Sequence, residues 1–125
     1  MGIQQTIRQI SAVAAGVLAQ YRFVAFDSAG EVDYPTLQGR VDGVTQEAAD
    51  AQGKVIGLAI PDGAIVKIEA VGVIAVGGQV ACDATGKAIA LGAANGNLSW
   101  GTALDLGAAG SIIRIQFKHN GQTNA

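Results

Sequence analysis

Gly72–Ala88, GVIAVGGQVACDATGKA, is the stretch that decides the fold, because the chain contains it twice. Gly16–Val32, GVLAQYRFVAFDSAGEV, carries the same pattern 56 positions earlier. Seven of the seventeen aligned positions are identical without a gap: Gly16/Gly72, Val17/Val73, Ala19/Ala75, Val24/Val80, Ala25/Ala81, Asp27/Asp83 and Gly30/Gly86. Leu18/Ile74 conserves volume. Self-similarity at a fixed offset marks a duplicated structural unit.

Each copy reads as a short strand, a loop, a second strand and a tight turn. Asp27-Ser28-Ala29-Gly30 and Asp83-Ala84-Thr85-Gly86 are turn sequences with a mechanism. The leading Asp accepts a hydrogen bond from its own backbone two residues on, and the closing Gly takes positive φ without a Cβ clash. Asp27, Gly30, Asp83 and Gly86 are therefore assigned as structural turn residues. Pairing Asp27 with Asp83 as catalytic carboxylates is the weaker reading, since turn-initiating Asp is far commoner.

The echo continues past the turns. Gly43–Ile56 resembles Gly101–Ile113 with one residue lost between them, and both read as strand, acidic loop, Gly and apolar strand. The chain is thus expected to be all-β, a small single-domain β-barrel or β-roll. Two pseudo-repeats of about 57 residues would close one core, preceded by an extended N-terminal arm. The expected division is an arm over residues 1–15, a duplicated β domain over 16–119 and a polar, frayed tail over 120–125. Within the arm, extended chain is expected through Gln9 and strand from about Ile10.

Individual strands are legible between these landmarks. Tyr21–Phe26 is aromatic and β-branched, Arg40–Gln46 and Lys54–Ile60 are strand candidates, and Pro61-Asp62-Gly63 is a turn. Glu47–Gly53 reads as a loop or one helical turn. Val66, Ile68 and Ala70 alternate with Lys67 and Glu69, and Ile113, Ile115 and Phe117 alternate with Arg114, Gln116 and Lys118. Such alternation marks half-buried strands with one wet face.

Composition narrows the classes of function. The 125 residues suit one domain, and only 14% are charged, against a usual level of about 25%. Gly, at 18 residues, is about twice its average share. So few charges on so small a chain imply surface hidden in an oligomer or larger assembly. The net charge of −2 names no partner, and all ten acidic residues lie between Asp27 and Asp105. The few cations at the two ends form no run and no aromatic-interleaved patch, so nucleic acid is not an expected partner. Arg8 followed by Ile10–Ala19 has the outline of a secretory signal, but Gly16–Ala19 belongs to the repeat, so cleavage would delete a strand. No run approaches the roughly 18 apolar residues of a membrane span.

No chemistry-bearing constellation emerges. Cys82 and His119 are the single Cys and His, far apart and without an orienting third group. His119 has no neighbouring ligand, and the Asp spacing fits no calcium loop, so no metal or cofactor is expected. Around Gly86-Lys87 a phosphate loop fails at two positions, Ala81 and Ala88. Lys87 follows the turn rather than occupying it, unlike the modified lysine of lipoyl and biotinyl domains. No catalytic residues are assigned.

The order Gly72–Ala88, then Trp100-Gly101-Thr102-Ala103-Leu104-Asp105, Gly110 and Ile112-Ile113-Arg114-Ile115, resembles the small phage and prophage capsid cement, or head decoration, proteins. The resemblance covers roughly 40–117. It implies a non-enzymatic virion protein made in the host cytoplasm. Such a protein would sit on the outer capsid surface, clamp the major capsid protein against internal DNA pressure, and assemble as a homotrimer, with a dimer as the alternative. Candidate capsid or oligomer contacts are Ile3, Ile7, Arg8, Ile10, Trp100 and Lys118, with Trp100 read as either a core or an interface anchor. The arm would gain apolar burial on a capsid subunit or, as second choice, on a neighbouring decoration subunit. The runner-up is a carbohydrate- or peptide-binding β module of a phage tail fibre or surface appendage. An enzyme on a small β-barrel ranks third.

Overall fold

The computed structural model describes residues 9–92 and 97–122. Within them the chain forms ten strands and no helix: β1 (Gln9–Val13), β2 (Phe23–Phe26), β3 (Val32–Asp33), β4 (Gly43–Thr45), β5 (Val55–Ala59), β6 (Asp62–Glu69), β7 (Gln79–Cys82), β8 (Ala88–Ala90), β9 (Leu98–Ala103) and β10 (Ile112–Gln122). They build two five-stranded sheets, ordered β1-β5-β4-β2-β3 and β6-β10-β9-β7-β8. The second order is the first with every label advanced by five, so the duplication read in the sequence is a duplication of topology.

Irregular features repeat as faithfully as the strands. The parallel bridge Ala14–Val32 recurs as Ala70–Ala88, and Leu18–Ala49 recurs as Ile74–Gly107. Asp27 Oδ1 accepts from the N–H groups of Ala29 and Glu31, as Asp83 Oδ1 does from Thr85 and Lys87. Gly30 and Gly86 close these turns at φ 79° and 78°. Both turns are the ones their sequences specify.

Three expectations are corrected. Gly16–Ala19 and Gly72–Ala75 are not strands; each is a loop held by one bridge, with Leu18 or Ile74 plugged into a core. The backbone turns to positive φ soon afterwards, at Tyr21 and Gly77, which ends any ladder. The division at residue 15 cuts through folded chain, because β1 pairs with β5 from Gln9–Ala59 to Val13–Val55. The polar tail is also partly strand: beyond a register shift, Gly121 pairs with Ser99 and Gln122 with Leu98. Ladder bonds are made by backbone, so the loss of apolar alternation after Phe117 does not end pairing.

The core also departs from expectation, being two clusters rather than one. The first holds Ala12, Ala14, Leu18, Val24, Val32, Ala49, Ile56 and Leu58. Its repeat equivalents Ile68, Ala70, Ile74, Val80, Ala88, Ile113 and Ile115 all sit in the second. The eighth equivalent, opposite Ala49, is Gly107, where a Cβ would lie 3.1 Å from Ile74 Cβ. The second cluster further takes Phe23, Val41, Val44 and Ala59 from the first repeat. Phe23 meets Phe117 there with ring centroids 5.9 Å apart, tilted by 49°. One face of the first repeat therefore closes the core of the second.

Candidate functional site

The residues singled out in the sequence do not gather at one place. Ile3, Ile7 and Arg8 lie outside the described residues. Ile10 stands partly exposed on β1, an edge strand, and Lys118 is exposed on β10 opposite Asp62. Trp100 is interior: it is 7% exposed, its Nε1–H donates to Gly39 O at 2.9 Å, and its ring lies 4.5 Å from that of His119. A side chain so enclosed anchors the fold rather than a partner. The Cys82 thiol is buried, directed at Thr36 O (3.2 Å), and pushed up to about 11 by burial. That keeps the thiolate scarce at neutral pH. Among the described residues no group of His, Cys, Asp and Glu is assembled that could hold a metal ion.

The seam between the repeats is where polar side chains concentrate. Arg22, following the bend at Tyr21, donates through Nη1 to Thr85 O and through Nη2 to Glu69 Oε1 (3.2 Å). Its guanidinium stands 5.9 Å from the Tyr34 ring centre, and its Nε is buried without a partner. Lys87 reaches the other oxygen of Glu69 at 3.4 Å. The Glu69 carboxylate is thus shared between a cation from each repeat.

Beside this network the repeats part to leave a cleft of about 260 Å³ lined by Tyr21, Gln46, Ile65, Val66, Lys67 and Arg114. Three features set it apart. Tyr21 adopts φ 61°, whereas its repeat equivalent Gly77 adopts φ 81°. A left-handed conformation costs a residue with a Cβ about 1–2 kcal/mol, so the first repeat keeps a bulky ring where the second uses the residue suited to the backbone. Lys67 and Arg114 are cross-strand partners on β6 and β10, which places two positive charges opposite each other. Arg114 is held by Asp105 through a two-pronged contact (Nε–Oδ2 3.0 Å, Nη2–Oδ1 2.8 Å), and that guanidinium draws the Asp105 carboxyl down to about 2. Among the described residues no carboxylate pairs with Lys67.

A second, more open concavity of about 380 Å³ runs along Ala25, Phe26, Asp33, Tyr34, Pro35 and Arg40. Its charged groups are engaged locally. Arg40 bonds Phe26 O and pairs with Asp42 at 3.1 Å, and Asp33 accepts from the Tyr34 N–H.

The Tyr21 cleft is not legible in the sequence. Lys67 and Arg114 lie on the wet faces that their alternation predicts, but only the β6–β10 register makes them neighbours. The available signal was Tyr21 aligned with Gly77, an aromatic residue at a position where the repeat wants glycine.

The architecture has a solved counterpart. The crystal structure of the N base of head fibre gp8.5 from bacteriophage phi29 superposes with a TM-score of 0.74. The fold is similar to a phage head-fibre base. The match covers 96% of this chain and 100% of that one at 16% sequence identity. At that identity the likeness is one of fold. No protein-family model matches the chain, and no curated protein does.

Proposed function

We propose that this chain is a structural component of a phage virion, attached to the outside of the head. The observation that carries the reading is the end-to-end correspondence with the base of a head fibre, which spans nearly all of this chain and the whole of that one. The surface supports it. Val17, Val55, Val73, Val76 and Leu106 are each at least 60% exposed. Val17 and Val73 are repeat equivalents, so the same apolar position faces outward twice. Apolar area of this kind on a chain with few charges suits lasting contact with neighbouring subunits.

The partner in this reading is the major capsid protein, together with further copies of the chain as a homotrimer or dimer. The role is non-enzymatic cementing of the lattice. The likeness to a head-fibre base favours a second reading, in which the chain seats an appendage on the head without strengthening it.

One experiment separates the two. Heads lacking the protein are incubated with the purified chain, sedimented, and heated while DNA release is followed. Co-sedimentation with a raised release temperature supports cementing. Co-sedimentation with an unchanged release temperature supports an appendage base and rejects cementing. A chain left at the top of the gradient overturns attachment altogether.

A further inference from the structure

We propose that the cleft between Tyr21 and β6 is a docking slot for an extended, acidic peptide segment of a partner protein, bound as a short added strand. The edge of β6 carries the first part of the argument. β6 is an eight-residue edge strand, paired only with β10 among the described residues. The Glu69 N–H points away from β10, since it donates to Tyr21 O at 3.0 Å. In an antiparallel pair every second residue turns its N–H and C=O to the same side. Ile65 and Lys67 therefore present theirs to the open side. Arg114, opposite Lys67, agrees: its backbone O accepts from Leu104 and its N–H donates to Asp105, both away from β6. Free edge groups of this kind are a template for another strand.

The charges specify what that strand carries. Like charges directly opposite on neighbouring strands are unfavourable, and the Lys67–Arg114 pair borders the slot. Asp105 satisfies Arg114 from the β9 side, and Glu69 is already divided between Arg22 and Lys87. The charge left over is that of Lys67. A carboxylate in the cleft would meet it, with Gln46 as a polar wall and Ile65, on the same face of β6 as Lys67, as an apolar floor.

Tyr21 marks one end of the slot. Its strained backbone aims the carbonyl at Glu69 and so stops strand addition there. Tyr21 lines the cleft, and its hydroxyl makes no hydrogen bond among the described residues. Strain retained beside a cleft is a signature of a functional position. An acidic sugar would match the charge but not the alternating main-chain groups of Ile65 and Lys67, so the geometry favours a peptide. Assigning that segment to a head protein rests on the attachment reading; the binding itself does not.

The test uses the full isotope-labelled chain and a capped Thr-Val-Glu-Val-Thr peptide, followed by amide shifts. Controls are the same peptide with Gln for Glu, one with Pro for the second Val, and sialyllactose. The slot predicts shifts at Ile65 and Lys67, at least tenfold weaker binding of the Gln peptide, and none of the Pro peptide. Lys67→Glu should lose the Glu peptide and gain a Lys-containing one. Tyr21→Gly should stay folded, with its backbone strain relieved, yet lose binding. Unmoved Ile65 and Lys67 amides, equal binding of the Glu and Gln peptides, or tighter binding of sialyllactose at the same residues would each overturn the inference. If the peptide binds but Lys67→Glu decorates heads as fully as the original chain, the head assignment of the partner fails while the slot stands. If heads are decorated and no peptide binds, the slot fails and attachment stands.

Discussion

Gly30 and Gly86 occupy the same place in the same turn, with φ within one degree, yet their surroundings differ. A Cβ built at Gly30 meets nothing within 4 Å, whereas one at Gly86 would lie 2.5 Å from Phe23 O and 2.9 Å from the Tyr34 ring. The second turn is docked on the first repeat, with Gly86 O accepting from the Phe23 N–H. Gly30→Ala should therefore cost only the left-handed penalty, about 1 kcal/mol. Gly86→Ala adds overpacking against backbone and should cost about 3 kcal/mol or more. Urea unfolding of the two variants checks this, and equal losses would mean that the second turn is not clamped. The need for glycine at both positions was legible from Asp-x-x-Gly alone. Their unequal value was not, because it depends on what lies across the seam.

The connection between β9 and β10 shows how an element is fastened by charge. Asp105 takes the Arg114 side chain through both oxygens and also accepts the Arg114 N–H at 2.9 Å. Its carboxyl is held below the ordinary 3.8, down to about 2, by the Arg114 side-chain hydrogen bonds first and the backbone bond second. A depressed carboxylate favours the folded state once ionised, so its contribution is complete above the unfolded value and disappears as the folded group protonates. The melting-temperature gap between the original chain and Asp105→Asn should stay constant from neutral pH to about 4, then close between about 4 and 2. The pair is exposed, so added salt should narrow the gap at neutral pH as well. A gap unchanged down to about pH 2 would show that the pair does not fasten this connection. At this scale β6 and β10 were readable from their period-two alternation. The Gly16–Ala19 and Gly72–Ala75 segments have the sequence pattern of strands without being strands, because a loop plugging a core is as apolar as a strand.

At the scale of the molecule, the two repeats are not independent units side by side. Phe23 and Phe117 meet from different repeats, and Val41, Val44 and Ala59 sit in the second repeat's cluster. Removing either ring should cost about 3–5 kcal/mol. The double variant Phe23→Ala/Phe117→Ala should cost less than the sum by about 0.5–1.5 kcal/mol, the coupling expected of touching aromatic residues. The fluorescence of Trp100, the one tryptophan, reports the second cluster, while far-ultraviolet circular dichroism reports both. The two signals should change together in a single transition. Additive losses and separated transitions would describe two domains instead of one.

The sequence by itself determined the all-β class, the duplication and its period, both Asp-led turns, and the inward faces of β6 and β10. Each of these rests on local chemistry: a side chain bonding its own backbone, a glycine at positive φ, or alternation across a pleat. Only the tertiary structure decided that the core is two clusters, that Trp100 is a core rather than an interface anchor, and that Tyr21, Lys67 and Arg114 border one cleft. Those facts depend on strand register and on how one repeat lies against the other. The internal repeat could not reveal them, because Phe23 aligns with Gln79 and Arg22 with Gly78. At these two positions the residue that joins the copies is one in which the copies differ, since a contact between two different faces calls for a different side chain on each.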